Sequence, residues 1–227
     1  MYTQSALRQM VTVVASVGIA LTLGACKIIK NEAPKEKAKG EIEFFFADEK
    51  FDPDKIVADM WESKLLPFAD KNAVELKLVL DALAKDREAA GAQYGHREKP
   101  EGSPWNYVVK ATAKVIAVNT KSRASTLGLD LEPYDGTVDA LLQIGPVVKG
   151  TAIRDSLDFL KFDDFTNQLE FARIANAMND KVKKDVVSAI DREAASDKIL
   201  TFSGMFTDEG SSKPPSITPV RLTVNGG

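Results

Sequence analysis

"WNYVVKATAKVIAVN", residues 105–119, decides the fold of this chain. Apolar positions recur at every second residue: Trp105, Tyr107, Val109, Ala111, Ala113 and Val115 lie on one side, with Asn106, Lys110, Thr112 and Lys114 opposite. Side chains alternate across a strand, so this pattern predicts a long, half-buried β-strand. Downstream, "STLGLDLEPYDGTVDALLQIG" (125–145) predicts strand, turn, strand, with Asp135-Gly136 supplying the positive φ such turns need. "VVKGTAIRDSLDFLKF" (147–162) is expected to be a strand end and loop. From about Thr166 to Ala194 the period becomes helical. Phe171, Ala175, Met178, Val182, Val186 and Ile190 recur on one face, and Asp163 and Asp164 suit the positive end of the dipole. "KILTFSGMF" (198–206) and "ITPVRLTV" (217–224) are two further strands around the loop "TDEGSSKPPS".

The order is strand, strand, strand, helix, strand, strand. It is the order of a five-stranded OB-type barrel, in which the helix follows the third strand. An open antiparallel sheet covered by helices would have the same order. The fold class is therefore α+β: an OB-like β domain over 101–227, with its long helix at about 166–194, preceded by a helical subdomain over 42–100. "EKPEGSP" (98–104), with two prolines and a glycine, marks the boundary. In the helical part, Asp52 before Pro53 is a helix start, with an acceptor at the N-cap and proline at the first helical position. Ile56, Met60 and Leu65 lie near helical spacing. Asn72 with Glu75 has the spacing of a capping box opening a second helix to about Ala90, whose stripe is Leu76, Val79, Leu80 and Leu83. "IEFFF" (42–46) is expected to be a short strand or a strap over the core.

The beginning of the chain carries an address. Residues 10–23, "MVTVVASVGIALTL", are apolar, follow one positive charge (Arg8), and are too short to cross about 30 Å of hydrocarbon. A charged start, a short apolar core and small residues before a cut site make a secretory signal, here 1–25. Leu23-Gly24-Ala25-Cys26 resembles the bacterial lipobox, which implies cleavage after Ala25 and lipidation of Cys26. Two or more acyl chains are needed for a stable anchor, because one alone binds only marginally. Lys27 follows where an aspartate would hold a lipoprotein in the inner membrane, so the expected place is the periplasmic face of the outer membrane rather than the inner. Residues 26–41, charged and carrying Pro34 and Gly40, form the expected flexible tether.

The net charge of −3 becomes one unit more negative when the signal leaves with Arg8. An acidic chain is a poor partner for nucleic acid, whose binding rests on phosphate neutralisation. Lipidation of the sole cysteine leaves no disulfide, thiol nucleophile or cysteine metal site. With one histidine, His96, neither a zinc site nor a serine–histidine–aspartate triad is supported. No metal or other cofactor is expected. "DLEPYDG" (130–136) fails the calcium-loop pattern, since its fifth and sixth positions are Tyr134 and Asp135. No phosphate-loop or dinucleotide motif occurs. The richest stretch is "IGPVVKGTAIRD" (144–155). Gly145-Pro146 ends or bulges a strand. Lys149 and Arg154 are candidates to bind an anionic or polyhydroxyl ligand, with Asp155 orienting the arginine; an ordinary surface pair is the plainer alternative. Trp105, Tyr107 and Phe202 suit a core better than a binding platform.

"GLDLEPYDGTVDALLQIGPVVKGTAIRDSLDFLKFDDFTNQLEFARIANAMND", with "FSGMF" and the lipobox, resembles a family of predicted periplasmic lipoproteins. The resemblance implies an acylated Cys26, and, through genes for sugar ABC transporters that often lie nearby, a link to sugar uptake. The expected function is thus a non-enzymatic, membrane-anchored accessory or binding module, with ABC-transporter components or a small polyhydroxyl ligand as partner. The alternative is an envelope structural or assembly protein working through protein contacts; a carbohydrate-active enzyme using two carboxylates is the outside reading.

Overall fold

A computed structural model describes residues 51–98, 102–188, 190–192 and 194–225. The signal segment 1–25, Cys26 with its tether to 41, and the apolar 42–46 lie outside the described residues.

Helix α1 (Pro53–Met60) opens as its sequence requires: the Asp52 carboxylate accepts the Lys55 N–H at 3.1 Å and Pro53 stands in the first turn. It runs through one π-helical turn, Trp61–Leu65, into α2 (Leu66–Asn72). Pro67 has no N–H to give the Ser63 carbonyl, so the ladder is interrupted at this point. The expected capping box is not formed. Asn72 ends α2, donating to the Phe68 carbonyl at 2.8 Å, and Val74–Glu75 is a two-residue strand, β1. Helix α3 begins only at Leu76 and ends at Lys85. Asp86 then breaks the expected longer helix, because it caps a new one, α4 (Arg87–Tyr94), accepting the Ala89 N–H at 3.0 Å. Gly95–His96 is β2.

Strand β3 (Asn106–Asn119) organises the rest, with β4 (Thr126–Leu131), β5 (Ala140–Gln143), β6 (Ile199–Thr207) and β7 (Ser216–Asn225). One edge of β3 pairs with β6 from Asn106 to Lys114. The other pairs with β2 and β1 at its start and with β4 from Ala113 onward. β4 pairs β5, β5 pairs β7, and β7 pairs β6, so β3–β4–β5–β7–β6–β3 is a closed circuit. The sheet is mixed, not antiparallel throughout: β5–β7 and β1–β3 are parallel. A circuit of five strands cannot alternate direction all the way round, so one parallel pair is unavoidable. The five expected strands are present, and β1 and β2, from the segment expected to be helical, bring the sheet to seven. Register shifts at Val115/Ala117 and at Ser203/Gly204 bend the strands. At Gly204 a Cβ would stand 2.5 Å from the Thr218 carbonyl oxygen, so only glycine allows that approach.

The alternation expected along β3 holds for Tyr107, Val109, Ala113 and Val115, all fully buried, against exposed Lys110 and Thr112. At its start both faces are covered, because Asn106 and Val108 are buried too. The helices before residue 98 and the strands after 105 contribute to one core, in which Leu65, Leu76 and Val79 join Leu127, Leu129, Leu142 and Phe206.

The helix expected over 166–194 is shorter. After a 3-10 turn at Phe162–Asp164 and a short helix α5 (Ala152–Ser156), α6 spans Gln168–Lys181, followed by a π-helical turn, Val182–Val186. Its cap is Asn167, which accepts the Glu170 N–H at 3.0 Å. The apolar face is as expected, with Ala175, Met178 and Val182 buried. The helix stops early because the chain must return to the sheet. Asp197 N–H donates to the Val115 carbonyl and Val115 N–H to that of Lys198, both at 2.9 Å, with Ile190 and Ala195 buried on the way.

Candidate functional site

The stretch 144–155 is built tightly. β5 ends at Gln143, and a Cβ on Gly145 would lie 2.4 Å from both the Arg123 carbonyl oxygen and the Ser125 nitrogen. The buried amide of Gln143 then clamps the loop. Its Oε1 accepts the Lys149 N–H at 2.7 Å, while Nε2 donates to the Lys149 carbonyl at 3.1 Å and to Thr218 Oγ1 at 3.0 Å. Gly150, at φ 90°, turns the chain into α5.

This turn separates the residues that sequence placed together. Lys149 is exposed on the wall of a first cleft of about 820 Å³, between α3, β5, the end of β6 and the loop 208–215. Arg87 on α4 ties that loop down. It forms an ion pair with Asp208, and its Nη2 donates to the Ser211 carbonyl at 2.6 Å. Arg154 and Asp155 instead line a second cleft of about 730 Å³, beside β2, the start of β3, the 157–162 segment and α6.

Arg154 is no ordinary surface residue: its side chain is 12% exposed. Nε donates to Asp155 Oδ1 at 2.7 Å, with Nη2 of the ion pair also 2.7 Å from that oxygen, Nη1 donates to the Phe171 carbonyl at 3.2 Å, and the guanidinium carbon lies 3.8 Å over the Phe171 ring centroid. Thr151 Oγ1 donates to Asp155 Oδ2 at 2.5 Å. Asp155 therefore orients Arg154, and both are oriented from behind.

Arg97 was not legible as a site residue. Its guanidinium carbon lies 3.9 Å over the Trp105 ring, with Nη1 3.4 Å from Glu88 Oε2. Trp105 in turn occupies a seat made by glycine: a Cβ on Gly91 would fall 2.2 Å from its indole, and one on Gly95 3.1 Å. The spacing of those glycines in "AAGAQYGH" was the available signal. His96, expected in a solvated loop, is half-buried in β2 on the wall of this cleft.

Tyr107 and Phe202 belong to the core, as expected. Tyr107 stacks on Phe206 at 5.0 Å, and burial, reinforced by the nearby Asp208 carboxylate, pushes its hydroxyl up to about 12. Among the described residues no group of histidine, cysteine, aspartate and glutamate side chains is arranged to hold a metal ion, and no helix is long and apolar enough to cross a membrane.

The sequence model of one family, described as predicted periplasmic lipoprotein (DUF2291), matches residues 16–223. The chain belongs to this family. The matched stretch takes in Cys26 and both clefts. No curated protein matches the chain. Among solved structures, the family member is similar to an OB-fold protein from Thermotoga maritima, with a TM-score of 0.66 at 18% identity, over 78% of this chain and 100% of that one. That likeness concerns the fold: the strand order expected of an OB-type domain is present in a mixed α+β architecture.

Proposed function

We propose that this periplasmic lipoprotein is a binding module, not an enzyme, held through lipid on Cys26 at the periplasmic face of the outer membrane. Its closed strand circuit corresponds to a small OB-type barrel, with β3, β4, β5, β6 and β7 as its five strands. Such barrels take oligosaccharides on the face of their second and third strands and on the loop between the fourth and fifth. Here those are β4, β5 and the loop 208–215. The observation that carries the reading is that the 820 Å³ cleft lies there, bringing Leu141 and Gln143 of β5 together with Lys149 and that loop. Its volume is in the range of small-molecule sites. The ligand is an uncharged polyhydroxyl compound, and the family resemblance supports service to a sugar-type ABC uptake system.

A thermal-shift screen of the full chain in detergent against neutral mono- and oligosaccharides tests this. A ligand at about 100 times its dissociation constant adds about 2.7 kcal/mol of stability. A shift lost in Lys149→Ala supports the site. No shift with any neutral sugar, together with unchanged uptake by a deletion strain, removes it. Exposed Leu78 and Leu169 favour the second reading, an envelope assembly protein. Crosslinks in cells to assembly partners, and none to a permease, would support it.

A further inference from the structure

The second cleft is a construction separate from the first. Two arginines from different segments line it, each with its guanidinium carbon less than 4 Å from the centre of an aromatic ring: Arg154 at 3.8 Å over Phe171 and Arg97 at 3.9 Å over Trp105. Their side chains are 12% and 20% exposed, so neither is a solvated surface cation. A guanidinium carries five N–H donors in a rigid fork. Arg154 donates through Nε and Nη1 and sets Nη2 beside Asp155 Oδ1, which leaves N–H groups on Nη1 and Nη2 without a hydrogen-bond partner among the described residues. A staple between α5 and α6 would account for Arg154 alone. It would not account for Arg97, nor for an open cleft of about 730 Å³ in front of both.

The rest of the wall narrows the ligand. Lys161 adds a cation whose ammonium makes no ion pair among the described residues. The acids are Glu98, whose Oε1 accepts the Phe162 N–H at 3.4 Å; Asp155, occupied by Arg154 and Thr151; and Asp158. Asp158 and the amide of Gln168, both exposed, suit hydroxyl groups, and Phe162, 39% exposed at the rim, offers an apolar face.

We propose that this cleft is a second binding site, for a small hydroxylated oxyanion: a sugar acid or a sugar phosphate whose charged group is taken by Arg154 and Arg97 and whose hydroxyls meet Asp158 and Gln168. The site is preorganised. Asp155, itself held by Thr151, and the two rings hold the guanidinium groups in place before any ligand arrives, so little side-chain freedom is lost on binding.

Calorimetric titration of the full chain in detergent with D-galacturonate, glucose 6-phosphate and uncharged D-galactose tests it. At least one of the two anions binds, D-galactose does not enter this site, and added salt weakens the binding. Binding of only one anion tells carboxylate from phosphoryl recognition. Arg97→Gln weakens the anion by about tenfold, the size of one charge-assisted hydrogen bond, with little change in melting temperature. Arg154→Lys keeps the charge, loses the fork and also weakens it. Lys149→Ala, in the first cleft, leaves it unchanged. Failure of both anions to bind overturns the proposal, and so does anion binding that survives Arg97→Gln but is lost in Lys149→Ala. Neither of those outcomes bears on neutral sugars in the first cleft.

Discussion

Arg154 takes two things from one residue: the Phe171 ring lies 3.8 Å beneath its guanidinium carbon, and the Phe171 carbonyl accepts from Nη1 at 3.2 Å. A residue of α5 is thereby fixed to α6, and Asp155 supplies the charge that makes the arrangement tolerable in a poorly solvated place. Asp155→Asn leaves the cation without its counter-charge and lowers stability by about 2 kcal/mol. That is less than for a fully buried pair, because the Asp155 side chain is 29% exposed. Adding Arg154→Met to that variant restores part of the loss. Urea unfolding of the two single variants and the double variant measures the coupling, and an additive double variant would contradict it.

Gly91 is fixed by what it faces. A methyl group there would meet the Trp105 indole at 2.2 Å, with the helix backbone on its other side. Gly91→Ala is expected to displace Trp105, cost about 3 kcal/mol and release Arg97 from its ring. Denaturant unfolding reports the loss of stability and a red shift of indole emission the displacement of Trp105.

Tyr107 is fully buried and its hydroxyl has no partner among the described residues. Tyr107→Phe removes that unsatisfied group and leaves stability unchanged or raises it by up to about 1 kcal/mol. The titration gives a second check. Below pH 10 folded and unfolded chains both keep the proton. Between pH 10 and about 12 the unfolded chain releases it and the folded chain does not. Stability therefore falls as pH rises through that window, with a slope of up to about 1.4 kcal/mol per pH unit. In Tyr107→Phe this part of the alkaline decline disappears.

Arg221 makes a forked pair with Asp70, Nε and Nη2 each 3.0 Å from a carboxylate oxygen, joining β7 to α2. Both side chains are about half exposed. Arg221→Ala therefore costs less than about 1 kcal/mol, and the difference shrinks in high salt. Thermal melts at low and high ionic strength would show it, and a loss as large as that of Asp155→Asn would contradict the contrast.

Local pattern alone determined a good deal. Period two along 107–115, the Asp52-Pro53 start, the turn at Gly136 and the apolar face of 171–182 all follow from geometry repeated within a few residues, and all are present. The family, matched over residues 16–223, is likewise a property of the sequence read along the chain. Only the tertiary structure decided the rest. The parallel β5–β7 pair follows from closing an odd circuit. The early end of α6 follows from the return of Asp197 and Lys198 to Val115, and β1 exists only because Val109 lies beside Val74. Lys149 and Arg154 stand five positions apart in sequence yet on different clefts, while Arg97 and Arg154, far apart in sequence, share one. Spacing predicts which side chains share a face within one element. A turn such as that at Gly150 resets the face, and the far wall of a cleft comes from packing between segments that no local pattern joins.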